Sequence, residues 1–256
     1  MRDLPAAVKV LAALAVVAVA LPLVALAARA PWSDIGRLGA SGPRTALIVS
    51  FEVSLAAAAL ALVFGVPVAL VLARARFPGR SIVRSLALLP LVLPPVVAGV
   101  GLLAAFGRRG VLGRGLAAIG IRLPFTTAGA ILASAFVATP LLILTVEAGV
   151  RALDRRKEDA AETLGASRWY VLRRVTLPAL APQIVAGLVV AWARALGEFG
   201  ATITFAGNIR GRTQTLPLAV FEAMQSDPGA AILMSLMLVA LSLVALVALR
   251  GRFLAR

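Results

Sequence analysis

Two stretches hold most of the residues that could do chemistry. The first is Asp154 to Pro178, D-R-R-K-E-D-A-A-E-T-L-G-A-S-R-W-Y-V-L-R-R-V-T-L-P. Around it, from Arg151 to Arg174, lie seven basic residues (Arg151, Arg155, Arg156, Lys157, Arg168, Arg173, Arg174) and four acidic ones (Asp154, Glu158, Asp159, Glu162). The second is Ala191 to Pro217, which sets Arg194, Glu198, Thr202 and Thr204 in or beside an apolar run. Neither stretch supports covalent catalysis. The chain has no His and no Cys, which excludes a His base, a His or Cys metal site and thiol chemistry. Only Ser, Asp or Lys chemistry remains; no pair of Asp residues falls within the apolar runs, and neither Lys9 nor Lys157 lies deep in one. Charges in these settings do other things: they set orientation, pair, line a path, or receive a mechanical push.

The elements that position them are membrane spans. The chain has 256 residues, of which 61% are hydrophobic and 14% charged, against about 25% charged in a soluble domain. So much apolar surface cannot be hidden in one water-soluble core, so the chain reads as an all-α integral membrane protein. Apolar runs at about 10–28, 45–73, 85–106, 125–146, 176–206 and 228–249 predict six spans within one domain, residues 1–256. Each is about 20 residues or longer, enough to cross about 30 Å of hydrocarbon. Small residues near Ala25 to Ala30 look like a signal-peptide cleavage site, but the first run exceeds an ordinary signal core and reads as a retained helix. Trp32 then falls near the outer interface. Pro90, Pro94 and Pro95 remove backbone donors inside the third run, which should kink or break. Gly107 to Pro124 reads as a Gly/Arg-rich loop, and Gly207 to Asp227 as a polar loop with a short helix.

Orientation follows from the basic residues. With the N-terminus inside, the inner segments hold sixteen: Arg2 and Lys9, four between Arg74 and Arg84, seven in the 151–175 loop, and Arg250, Arg252 and Arg256. The outer loops hold nine, and Arg194 is the remaining one of the 26. The excess places both termini and the charged loop in the cytoplasm. A net charge of +15 distributed in this way signals topology and contact with the lipid bilayer rather than nucleic-acid binding.

Asp154 to Leu164 predicts a short helix, Gly165-Ala166-Ser167 a turn, and Ser167 the cap of a second helix whose Trp169, Leu172 and Val175 share one side. A basic amphipathic loop resting on anionic headgroups accounts for the arginines. It does not account for the small residues at the corner or for the four acids.

This loop resembles the coupling motif of bacterial ABC importer permeases, E-A-A-x-x-x-G-x(9)-[IV]-x-L-P. Here Asp159-Ala160-Ala161, Gly165, Val175, Leu177 and Pro178 stand at the family spacing, with Asp159 where the family usually has Glu and Glu158 just before it. The resemblance implies that Glu158, Asp159, Ala160, Ala161, Glu162, Leu164, Gly165, Ala166, Trp169, Leu177 and Pro178 meet a separate ATP-hydrolysing subunit. Independently, this chain lacks a Walker A lysine, because Lys9 and Lys157 follow Val8 and Arg156 rather than Gly.

Gly197 to Phe205 (G-E-F-G-A-T-I-T-F), Gly207 to Pro217 and Leu89 to Leu103 look like the molybdate permease branch of that family, with Arg210 where those proteins often carry Pro. Tungstate and sulfate permeases share much of the pattern. The resemblance implies a non-enzymatic homodimer in a bacterial or archaeal cytoplasmic membrane, with two ATPase subunits, an external oxyanion-binding protein and no cofactor or metal. On this reading Pro90, Pro94, Pro95, Arg194, Glu198, Thr202 and Thr204 belong to the translocation path or its gate. Arg194 and Glu198 are four apart and equally suit a self-neutralising pair that locks the helix. Gly197 and Gly200 permit close packing or a local break there. Outer Arg210 and Arg212 attract the anion or its carrier, or are solvated loop charges. A passive channel or secondary transporter is the alternative from another class, and it leaves the coupling motif unexplained.

Overall fold

The computed structural model describes residues 5–253, with side chains except at 245 and 248–253. Arg2 and Arg256 therefore lie outside the described residues, as do the side chains of Arg250 and Arg252. Every regular element described is helical. Helix α1 (Ala6–Ala28) leads through a 3-10 segment (Trp32–Gly39) into α2 (Ser41–Arg74). Next come α3 (Arg80–Leu88), α4 (Pro95–Phe106), α5 (Gly113–Ala118) and α6 (Thr127–Ala152). The charged loop forms α7 (Arg156–Thr163) and α8 (Arg168–Val171), and a π turn (Leu172–Thr176) joins α8 to α9 (Leu177–Leu196). Then follow α10 (Gly200–Phe205), α11 (Leu216–Ser226) and α12 (Pro228–Phe253).

Among the described residues, α1, α2, α6 and the continuous Arg168–Leu196 rod are each long and apolar enough to cross a membrane. The third run is broken, as its prolines predict. Pro90 sits in a 3-10 turn (Leu89–Leu91), Pro94 is extended, and Pro95 opens α4, so that the two halves meet at 116°. The fifth run departs from one continuous span: α9 stops at Leu196, and α10 restarts only at Gly200. The Gly107 to Pro124 loop contains the short α5.

Helices α2, α6 and α9 form the core. Ala57, Ala61, Ala69 and Leu72 of α2 meet Ala135, Ala138, Leu142 and Val146 of α6 and Leu180, Ala191 and Ala195 of α9. Small residues let these backbones approach closely, the usual basis of helix association in lipid. A methyl at Gly187 would stand 2.8 Å from Leu142 Cδ1, and one at Gly149 2.6 Å from Gln183 Cγ. Trp192 closes one end of the core. Its ring stacks on Phe51 at 6.2 Å, and its Nε1 donates to Ser54 Oγ at 3.0 Å. By contrast, α1 buries none of its length within the protomer.

Candidate coupling site and translocation path

Ser167 caps α8 as its position predicts, its hydroxyl accepting from the Tyr170 N–H at 3.3 Å. Pro178 stands two residues beyond the π turn and has no N–H to offer Arg174, which leaves that turn free to widen. The widening changes the expected side-chain pattern. Val171 and Thr176, five apart, take the buried side, and Leu172 and Val175 are half-buried. Trp169 instead stands exposed, beneath the Arg173 guanidinium at 5.4 Å from its ring centre. The predicted common face of Trp169, Leu172 and Val175 is thus corrected by one inserted residue of pitch.

Helix α7 has two unlike faces. Glu158 turns inward and is buried, while Asp159, Ala160, Glu162, Leu164 and Gly165 are exposed and Ala161 and Ala166 half-buried. One Glu158 oxygen, Oε1, accepts from Arg74 Nη2 at 2.7 Å and also from the Thr176 hydroxyl. A single carboxylate thereby ties α7 to the end of α2 and the foot of α9. Burial by itself would raise the Glu158 carboxyl. The Arg74 and Thr176 hydrogen bonds, with the charges of Arg74 and Arg155, outweigh it and hold the group below its ordinary value. Gly165 has φ +84, and nothing lies within 4 Å of where a Cβ would sit. Its glycine is needed for the left-handed backbone, and the corner it makes with Ala160 and Ala161 is open.

A second carboxylate anchors the same end of the bundle. Glu147, buried near the end of α6, binds Arg151 Nη2 through Oε1 at 2.6 Å and Arg84 Nε through Oε2 at 3.2 Å. It fastens α3 to α6. The sequence shows the Glu147–Arg151 spacing but not the reach to Arg84.

At the fifth run, Arg194 Nη1 meets Glu198 Oε2 at 2.6 Å, so the predicted pair forms. It does not lie on one helix face, however. Glu198 falls in the break, and its Oε1 accepts from the Ala201 N–H at 2.9 Å, capping α10. Thr202 is fully buried, and Thr204 donates to the Gly200 carbonyl at 2.8 Å. Helix α10 runs beside α4 in the same direction. A methyl on Gly200 would strike Pro95 Cβ at 2.6 Å, and one on Gly99 would strike Thr204 Cβ at 2.6 Å. The structure thus sets the start of α10, capped by Glu198, against Pro95 at the start of α4, with Thr204 against Gly99 one turn on and Thr202 buried in the same short helix. Pro90 is buried in the turn before them, and Pro94 is exposed at the bend.

Beyond the break, Glu222 organises the 207–215 loop. It accepts from Arg210 Nη2, from Asn208 Nδ2 at 3.0 Å and from Gln214 Nε2 at 2.6 Å. The Arg210 hydrogen bond is the main reason its carboxyl lies below the ordinary range; partial burial opposes the shift, and Asn208 and Gln214 add to it. Arg210 is therefore held in an ion pair, while no such partner is seen for Arg212 among the described residues. Glu222 is a site residue that spacing alone does not single out.

Residues 61–251 match the model of the binding-protein-dependent transport system inner membrane component. The chain belongs to that family. Among its relatives in the family is the molybdenum transport system permease protein ModB of Mycobacterium tuberculosis, 48% identical over 240 residues, 93% of this chain and 90% of the relative. The protein of the same description in Escherichia coli is 42% identical over 212 residues, covering 82% and 93%. The sulfate transport system permease protein CysT of Escherichia coli is 39% identical over 215 residues, covering 81% and 78%. The fold matches a bacterial ABC transporter involved in alginate import, with a TM-score of 0.67 at 20% identity over 90% of this chain and 87% of that one. It also matches the MetNI methionine ABC transporter, with a TM-score of 0.62 at 17% identity over 81% and 92%.

Proposed function

We propose that this chain is the membrane subunit of an ATP-driven importer and forms the path for an oxyanion, molybdate. The observation that carries the cargo is the 48% identity to a molybdenum permease over 93% of the chain. Sulfate is the competing cargo, from a relative at 39% over 81%.

The working unit is a homodimer with two ATPase subunits below and an oxyanion-binding protein above. Both termini and the 151–175 loop face the cytoplasm. An ATPase cleft takes the exposed Asp159, Ala160, Leu164 and Gly165, with the half-buried Ala161 at the floor of the corner. Closing the ATPase pair displaces α7, and Glu158 passes the displacement to α2 through Arg74 and to α9 through Thr176. Helix α9 rises about 24 Å from Pro178 to Arg194, where the chain breaks. Movement of α9 there acts on the capped start of α10, which is packed on α4 at Pro95. An anion is costly to move through hydrocarbon, so the path must be polar yet never open at both ends. A break held by one ion pair and one cap is a place where two arrangements can alternate.

The test is uptake of labelled molybdate into vesicles containing the chain, its ATPase and its binding protein, with sulfate and tungstate as competitors. ATP-dependent uptake that molybdate competes for best supports the proposal. Uptake without any ATPase bound overturns the class, and preference for sulfate overturns the cargo.

A further inference from the structure

The coupling corner does not use the arginines of the second helix. Arg173, Arg174, Ser167, Trp169, Tyr170 and Pro178 line an open cavity of about 650 Å³ at the foot of α9. No acid lines it, and among the described residues Arg168, Arg173 and Arg174 form no ion pair. Trp169 and Tyr170 are exposed, and Arg173 lies over the Trp169 ring at 5.4 Å. Exposed Trp and Tyr beside arginine, one turn below a membrane span, have the composition of a headgroup belt.

A second cavity lies farther up the same rod. Leu55, Ala59 and Leu62 of α2 and Leu188, Val189 and Trp192 of α9 enclose an apolar groove of about 370 Å³. Along α9, Pro178, Ala181, Val185, Leu188 and Trp192 recur every three or four residues, exposed at the first three and half-buried at the last two, so one stripe runs from the lower cavity to the groove. Pro178 to Val189 spans about 17 Å, close to the hydrocarbon depth of one leaflet, about 15 Å.

We propose that α9 holds an anionic phospholipid of the inner leaflet, its phosphate at Arg173 and Arg174 and one acyl chain along the Pro178–Val185 stripe into the groove against α2. The inference rests on the cytoplasmic placement of the 151–175 loop and not on the cargo. Charge complementarity selects the occupant: the charged residues lining the cavity, Arg173 and Arg174, are both basic, and the groove above it is lined by apolar side chains. Because the phosphate sits on the rod that Thr176 and Glu158 move, headgroup charge acts on the coupling step.

The experiment uses the whole complex with its ATPase, in detergent, with native mass spectrometry counting bound phosphatidylglycerol against phosphatidylcholine. Arg173→Gln with Arg174→Gln should weaken phosphatidylglycerol retention roughly thirtyfold, the loss of two arginines at a membrane surface, while the Lys pair retains it. Ala59→Phe, which fills the groove and leaves the arginines intact, should release both lipids. Equal retention of the two lipids by the unmodified complex, or undiminished binding by the Gln pair, overturns the proposal. So does displacement of the lipid by free molybdate, which would make the cavity an exit site for the cargo. ATP-dependent uptake is read separately, so failure here is distinct from failure of the transport reading.

Discussion

Replacing Glu158 tests how the coupling helix is joined to the bundle. In Glu158→Ala the Thr176 hydroxyl, 1% exposed, loses its acceptor, at a cost of about 1–3 kcal/mol. Arg74 loses its partner too. Breaking a fully buried pair costs about 3–5 kcal/mol, but the Arg74 side chain is 30% exposed and recovers part of its hydration, so the lower end applies. Together these give roughly 4 kcal/mol or more. Glu158→Gln keeps an acceptor for both donors and loses only the charge, so about 1–2 kcal/mol is expected. Asp159→Ala removes an exposed carboxylate and should stay within about 0.5 kcal/mol. The assay is unfolding of the purified chain, combined with binding-protein-stimulated ATPase activity of the complex. In a cycle with Arg74→Ala, the pair should show a coupling energy of at least about 1 kcal/mol. ATPase stimulation should fall in Glu158→Ala even where the complex still assembles. If Glu158→Ala and Asp159→Ala destabilise equally, or the cycle shows no coupling, Glu158 is not the link. The pH dependence has a definite sign. A carboxyl held below its ordinary value contributes stability that is full above about pH 4.3 and lost as pH falls through its folded value. The clamp is therefore constant from pH 6 to 8, and Glu158→Gln should blunt only the acid limb of a stability profile.

Further outcomes can be read in the same preparations. Gly165→Glu should abolish ATP-driven uptake, whereas Gly165→Asn, which tolerates a positive φ, should keep the fold and much of the activity; ATPase-binding measurements separate the two. Arg194→Ala should cost about 2–3 kcal/mol by stranding a buried carboxylate. Adding Glu198→Gln, which keeps the cap on Ala201, should recover part of that loss in thermal unfolding, and no recovery would remove the ion-pair account. Glu222→Ala frees three donors at a half-exposed site, so it should cost only about 1 kcal/mol overall and speed hydrogen exchange across 208–214.

What could be read in the chain depended on range along it. Helical periods, proline breaks and the Ser167 cap are local, so the four long apolar helices, the break in the third run and the turn at Gly165 were legible, while the described part of α12 falls among the shorter apolar helices and the count of six spans is not reached among the described residues. The π turn was not, because its cause is one absent donor at Pro178 and its effect is to rotate every side chain before it. The break after Leu196 was half legible: Gly197 and Gly200 allow it, but only the packing of Gly200 on Pro95 requires it. Charge partners separated in sequence were invisible. Glu147 and Arg151 sit four apart, and their pairing follows from helix pitch, but Arg74 and Glu158 are 84 residues apart. For the same reason Glu222 passed as one polar residue in a polar loop.

The two neighbouring acids of α7 also explain why Asp can stand where related proteins usually have Glu. A helix turns about 100° per residue, so adjacent side chains cannot share a face. The position that must reach across the protomer to Arg74 and Thr176 is 158, and Glu is there. Position 159 faces outward into an open corner, where losing one methylene leaves the charge in place and strands no internal partner. Reach is constrained where the carboxylate must bridge three elements and relaxed where only the surface offered to a partner is at stake. On the proposed coupling role, the substitution therefore falls on the face where a shorter side chain could be met by a small adjustment of a docked subunit, and not on the face that ties α7 to α2 and α9.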